Sequence, residues 1–94
     1  MSKRKEVLDA ILDQGMLPLF FHANAQESVA IVRTLYANGV RVFEFTNRGA
    51  EAQEVFKALV EARDSSMPGL YLGIGTIKNT LEATQFIDLG ADFI

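Results

Sequence analysis

Four short runs of β-branched and aromatic residues begin near positions 17, 40, 71 and 92, and the stretches between them carry apolar side chains at helical spacing. An opening helix is predicted by Val7, Leu8, Ile11 and Leu12, with Gly15 as its stop. Leu17–Phe21 is a nearly unbroken apolar run of strand length, with Pro18 close enough to its start to be tolerated. Asn24 stands three residues before Glu27 in a variant of the capping box, followed by Val29, Val32, Leu35 and Tyr36 on one stripe and by Gly39 as a stop. Asn38-Gly39 is also a hairpin signal, but the helical period of the residues before it favours a helix end.

Val40–Thr46 reads as the second strand, and Ala52, Val55, Phe56, Leu59 and Val60 mark the next helix. A loop is expected over Ser65–Gly69, then a strand over Tyr71–Thr76. Asn79 and Glu82 repeat the capping-box spacing ahead of Leu81, Ala83, Phe86 and Ile87, and Gly90 closes that helix. Asp92–Ile94 reads as the start of a fourth strand.

Strands that alternate with helices of this length argue for an α/β fold with a parallel sheet and right-handed crossovers. A doubly wound open sheet would carry a glycine fingerprint after its first strand, and none is present. The spacing fits successive units of a (β/α)8 TIM barrel. Such barrels need about 200 to 400 residues, so the 94 residues are expected to form the N-terminal half of one: a helix, three βα units and the start of a fourth strand. Residues 1–94 are accordingly read as one partial barrel domain truncated after the fourth strand.

Composition narrows the function. A net charge of −3 with no basic patch beyond Lys5 disfavours nucleic acid as a partner. The absence of cysteine removes thiolate nucleophiles, disulfides and thiolate metal sites, and the single His22 builds no metal site alone. The basic start is followed by a segment that two aspartates interrupt, too short for a signal core or a membrane span. Cytoplasmic residence, with no membrane partner, is the default expectation.

Alternation along the second strand puts Val40, Val42, Glu44 and Thr46 on one face and Arg41, Phe43 and Phe45 on the other. The phenylalanines suit the helix-covered side, which leaves Glu44 facing the barrel interior near the C-terminal end of its strand, where barrel active sites are built. A carboxylate there must be desolvated or paired, and is then usable as a proton shuttle; the plainer alternatives are a solvated outer face or a structural ion pair. Arg48, in the loop Asn47-Arg48-Gly49, offers a planar fork for a carboxylate or phosphate, against the alternative of a surface arginine. Gly73-Ile-Gly-Thr76 ends the third strand with room for a ligand or a neighbouring side chain and with the Thr76 hydroxyl, or is simply a tight bend. Lys78 is read as a solvated surface lysine rather than an imine former, and His22 as a polar strand terminus or a pH-sensitive ligand contact.

Gly39–Gly49, reading Gly-Val-Arg-Val-Phe-Glu-Phe-Thr-Asn-Arg-Gly, and Gly-Ile-Gly-Thr at 73–76 resemble the 2-keto-3-deoxy-6-phosphogluconate / 4-hydroxy-2-oxoglutarate aldolase family. The similarity includes Leu-Pro-Leu before His22 and the closing Leu-Gly-Ala-Asp-Phe-Ile, and Glu-x-Thr-x-Arg is its specific part. The resemblance implies a class I aldolase that cleaves a 2-keto-3-deoxy sugar acid to pyruvate and an aldehyde through a lysine Schiff base, with no metal or other cofactor. It implies Glu44 as the catalytic proton shuttle, Arg48 as the carboxylate-binding residue and Thr76 as a substrate contact. It also implies a homotrimer. None of Lys3, Lys5, Lys57 or Lys78 matches the family's imine-forming lysine, which is expected in the second half of the barrel. Two other readings stand beside this one: a noncatalytic half-barrel that associates with itself, and a phosphosugar epimerase in which Glu44 is a base without an imine.

Overall fold

The computed structural model describes residues 3–94; Met1 and Ser2 of the basic start lie outside the described residues. The elements, in chain order, are α1 (Lys3–Gln14), β1 (Leu19–Phe20), α2 (Ala25–Ala37), β2 (Val42–Thr46), α3 (Ala52–Ser66), β3 (Tyr71–Gly75) and α4 (Thr80–Leu89). The strands are parallel and lie side by side in chain order, with Leu19 beside Glu44, and Glu44 in turn beside Gly73. Phe93 continues the order by bridging in parallel to Gly73, as the predicted fourth strand requires. A strand order that never reverses is how a barrel is wound, whereas a doubly wound sheet must switch direction.

The core lies on one side of this sheet. Phe43, Phe45, Leu72 and Ile74 point to the helices and are buried, together with Val32 of α2, Phe56 and Leu59 of α3, and Phe86 of α4. A relay of aromatic rings joins the layers: Phe20 meets Phe45 edge-on at 5.3 Å, Phe45 meets Phe56 at 6.3 Å, and Phe56 meets Phe86 edge-on at 5.5 Å. Each such pair contributes about 0.5–1.5 kcal/mol beyond the area it buries.

Both predicted capping boxes form. The Asn24 side chain accepts from the Glu27 amide at 2.9 Å, and Asn79 does the same for Glu82. Gly39 (φ 98°) follows the end of α2, so Asn38-Gly39 is a helix stop and not a hairpin turn.

Other boundaries move for identifiable reasons. The first strand covers only Leu19–Phe20 of the expected 17–21, with the Pro18 carbonyl serving as a lone acceptor for the Glu44 amide at 2.9 Å. The second starts at Val42 rather than Val40. Val40 N–H bonds back to Leu35 at the end of α2, and Arg41 N–H is taken by the Gln14 side chain. The helix α3 runs through Ser65 and Ser66, which sequence had placed in a loop; their hydroxyls donate back to the Ala62 carbonyl.

Helix α1 forms, yet only Val7 of its four apolar positions is buried, while Leu8 and Leu12 are exposed. It packs at the start of β2 rather than in the outer helical layer. Its last residue, Gln14, accepts from the amides of Arg41 and Val42 and donates to the Val42 and Met16 carbonyls.

Candidate functional site

The face of β2 turned away from the core carries Glu44 and Thr46, both half-buried, while Phe43 before them and Phe45 between them are buried on the other face. Glu44 is thus on the inner face, as strand alternation predicts. Its carboxylate lies across the seam between β2 and β3, over the bare backbone of Gly75. No described residue forms an ion pair or hydrogen bond with the Glu44 side chain, which sets aside the structural ion pair, and its place on the inner face sets aside the outer-face alternative.

The loops that follow β2 and β3 are joined at the same end of the sheet. Asn47 donates its amide to the Gly75 carbonyl at 2.9 Å and its side-chain nitrogen to the Thr76 carbonyl at 3.4 Å. Arg48 and Thr76 therefore leave the sheet next to one another, on the C-terminal side of Glu44. The Arg48 side chain is exposed and has no hydrogen-bond partner among the described residues. Thr76 has φ of 61°, the only positive value at a non-glycine described residue. A β-branched side chain there is strained, so the strand ends at Gly75 rather than at Thr76.

The Gly-x-Gly of β3 serves side chains of the neighbouring strands. A methyl at Gly73 would overlap the ring of Phe93, and one at Gly75 would overlap the Glu44 carboxylate. The two glycines admit one side chain from each side of β3 onto the inner face. Gly49 differs: its φ of 90° is what requires glycine there.

Other candidates take plainer parts. His22 accepts from the Asn24 amide through Nδ1 at 3.0 Å and meets Glu27 through Nε2 at 2.6 Å, which makes it part of the α2 cap. Lys78 is exposed, and its backbone amide donates to Glu82 at 2.9 Å in the α4 cap. Lys57 is exposed on α3, Lys5 pairs with Asp9, and Lys3 pairs with Asp92 at the opposite end of the strands. Among the described residues no three His, Asp or Glu side chains converge as metal ligands would, and no helix is long and apolar enough to cross a membrane.

Sequence reasoning missed the polar work at the N-terminal ends of the strands. Besides Gln14, Asp92 accepts from Arg63 at 2.7 Å and from the Leu72 amide at 2.8 Å, and Arg63 also reaches the Gly90 carbonyl at 3.2 Å. The partners lie 20 to 29 residues apart, so no local pattern announces them.

The sequence model of the KDPG and KHG aldolase family matches residues 8–94. Over 94 residues the chain is 28% identical to a KHG/KDPG aldolase of Escherichia coli, an alignment covering 99% of this chain and 42% of that protein. A 2-dehydro-3-deoxy-phosphogluconate aldolase of Pseudoalteromonas atlantica is 29% identical over 84 residues, 88% of this chain and 37% of that protein. Among solved structures, a 2-keto-3-deoxy-6-phospho-gluconate aldolase of Zymomonas mobilis superposes with a TM-score of 0.69 at 27% identity, over 82% of this chain and 35% of that one. The chain spans about two-fifths of the length of these curated relatives.

Proposed function

Because this chain belongs to the KDPG and KHG aldolase family, we propose that it supplies the acid/base half of a class I aldolase site. The substrate is a 2-keto-3-deoxy-(phospho)sugar acid or 4-hydroxy-2-oxoglutarate, cleaved to pyruvate and an aldehyde. The observation that carries this reading is the placement of Glu44 on the inner face, with the Arg48 and Thr76 loops joined just beyond it. A neutral lysine amine attacks the keto carbon, the carbinolamine loses water, and the resulting imine accepts the electron pair released when the carbon–carbon bond breaks. Glu44 moves the protons: it protonates the departing hydroxyl during dehydration, takes the proton of the C4 hydroxyl as the carbon–carbon bond breaks, and delivers that proton to the enamine carbon that becomes the pyruvyl methyl group. Arg48 holds the substrate carboxylate through paired N–H bonds, and the Thr76 hydroxyl contacts the substrate. The imine-forming lysine comes from outside residues 1–94, since no described lysine stands on the inner face beside Glu44.

Glu44→Gln in a complete enzyme carrying this segment is expected to lower turnover by about 10² to 10⁴ fold while weak pyruvate binding persists. Near-normal turnover would remove Glu44 from the chemistry. Incubating the 94-residue chain with pyruvate and borohydride should leave no reduced pyruvyl adduct by mass spectrometry; a stoichiometric adduct on Lys78 would relocate the nucleophile into this segment.

One observation favours a second reading, the noncatalytic half-barrel that associates with itself. Leu8, Leu12, Leu19 and Ile94 are all more than half exposed, and β1 and the Phe93 segment each have a sheet edge that no described strand covers. Edges of this kind invite pairing. Light scattering at tens of micromolar separates the outcomes: association is expected for the 94-residue chain, and a sharp monomer with a cooperative melt would count against it.

A further inference from the structure

The glycines of this chain fall into two physical groups. Gly15, Gly39 and Gly69 have positive φ and open space where a Cβ would stand, so the backbone alone demands them. Gly75 is the reverse. Its φ is not positive, it pairs in register with Thr46 in the parallel ladder, and any side chain would fit its backbone. Gly75 ends β3 with an ordinary strand backbone, so what distinguishes glycine there is the space it leaves. The space is filled by one side chain. A Cβ at Gly75 would overlap a carboxylate oxygen of Glu44, would lie 2.9 Å from its carboxyl carbon, and would touch its Cγ at 3.4 Å.

We propose that Gly75 is a positioning residue for Glu44: by presenting no side chain on the inner face of β3, it lets the carboxylate lie across the β2–β3 seam, beside the Arg48 and Thr76 loops. This rests on the role proposed for Glu44 above and adds what sets its place. With no ion pair or hydrogen bond from a described residue, the Glu44 side chain is located by shape. Alanine at position 75 would displace the carboxylate into the open interior. Aspartate at position 44 would relieve the overlap, because its carboxyl carbon falls where the glutamate Cγ now sits, 3.4 Å from such a Cβ, and its oxygens can turn aside about the Cβ–Cγ bond.

Two experiments decide it. In the first, the wild-type chain, Gly75→Ala, Glu44→Ala and the double variant are unfolded in denaturant at one chain concentration. Gly75→Ala is expected to raise the midpoint when Glu44 is alanine, since replacing an unstrained glycine is favourable, and to raise it less, or lower it, when Glu44 is present and must swing aside. An equal change in both backgrounds overturns the proposal. In the second, on a complete enzyme carrying this segment, Gly75→Ala should lower kcat by about tenfold or more with KM within about threefold. Glu44→Asp should lower kcat by itself yet raise it when added to Gly75→Ala. Losses that simply add, or an effect confined to KM, overturn positioning. Normal turnover in Glu44→Gln alone brings down the acid/base reading itself, a failure the unfolding cycle cannot produce.

Discussion

At the N-terminal ends of the strands, polar side chains are bound to the protein itself; toward the C-terminal ends, those of Glu44, Arg48 and Thr76 are left without a partner among the described residues. Gln14 uses both atoms of its amide to hold the start of β2, and Asp92 ties α3, β3 and the Phe93 segment together through Arg63 and Leu72. Within β2 the Glu44 side chain, and beyond its end that of Arg48, have no partner among the described residues, and Thr76 after β3 holds a strained backbone angle. In a barrel the first end serves stability and the second serves chemistry. The contrast lies within single strands: β2 begins under Gln14 and ends four residues later at Thr46, next to the Asn47 bonds that gather the loops.

The largest effect that would test this division belongs to the layer supporting both ends. Phe45 is 1% exposed and touches Phe20, Phe21 and Phe56, so Phe45→Ala removes the centre of the aromatic relay. A loss of about 3–5 kcal/mol is expected, enough to unfold a domain of this size. A circular-dichroism melt that shifts by only a few degrees would mean that the relay is not what holds β1 and α3 to β2.

Next in size is Asp92→Asn. The side chains of Asp92 and Arg63 are 7% and 14% exposed, so breaking this pair costs about 2 kcal/mol, the scale of a charged hydrogen bond with one partner left behind. The Lys3 contact adds little, because Lys3 is more than half exposed. Stability should fall while the kinetic constants of a complete enzyme stay near normal. A fall in kcat at unchanged stability would blur the two ends.

Arg48→Lys probes the opposite end and should do the opposite. A point charge cannot copy a two-pronged contact with a carboxylate, so KM is expected to rise by about tenfold with little change in the melt. An unchanged KM would take Arg48 out of the site.

What sequence reveals follows the range of the interaction. The capping boxes at Asn24 and Asn79 span three residues, and the alternation that sorts Glu44 from Phe43 and Phe45 spans one, so both are visible in the chain. The Gln14 clasp and the Arg63–Asp92 pair join residues 27 to 29 positions apart, and only the fold brings them together. The reason for Gly75 was half visible: a Gly-x-Gly shows that something needs room, but it takes the register of β2 against β3 to show that Glu44 is what fills it. Helix α1 misled in a different way. Its apolar spacing is real, yet Leu8 and Leu12 are exposed, because amphipathic period records a side chain's need for cover without saying which element supplies it.

The smallest effect is the most discriminating between the ends. Thr76 is a β-branched residue at φ 61°, where a side chain crowds its own backbone by about 1–2 kcal/mol and glycine does not. Its hydroxyl has no partner among the described residues, so the fold gains nothing visible from it. Thr76→Gly should therefore leave stability unchanged or raise it by up to about 1 kcal/mol, the relief of strain being partly offset by the freer unfolded chain. Substrate affinity should fall, because the hydroxyl is lost and the loop is less fixed. Denaturant midpoints and KM measured on one preparation of a complete enzyme give both numbers. A more stable, weaker-binding variant would mean that strain is kept at this end for the ligand's sake; a destabilised one would mean that Thr76 supports the fold, and the division between the two ends would then stop at Gly75.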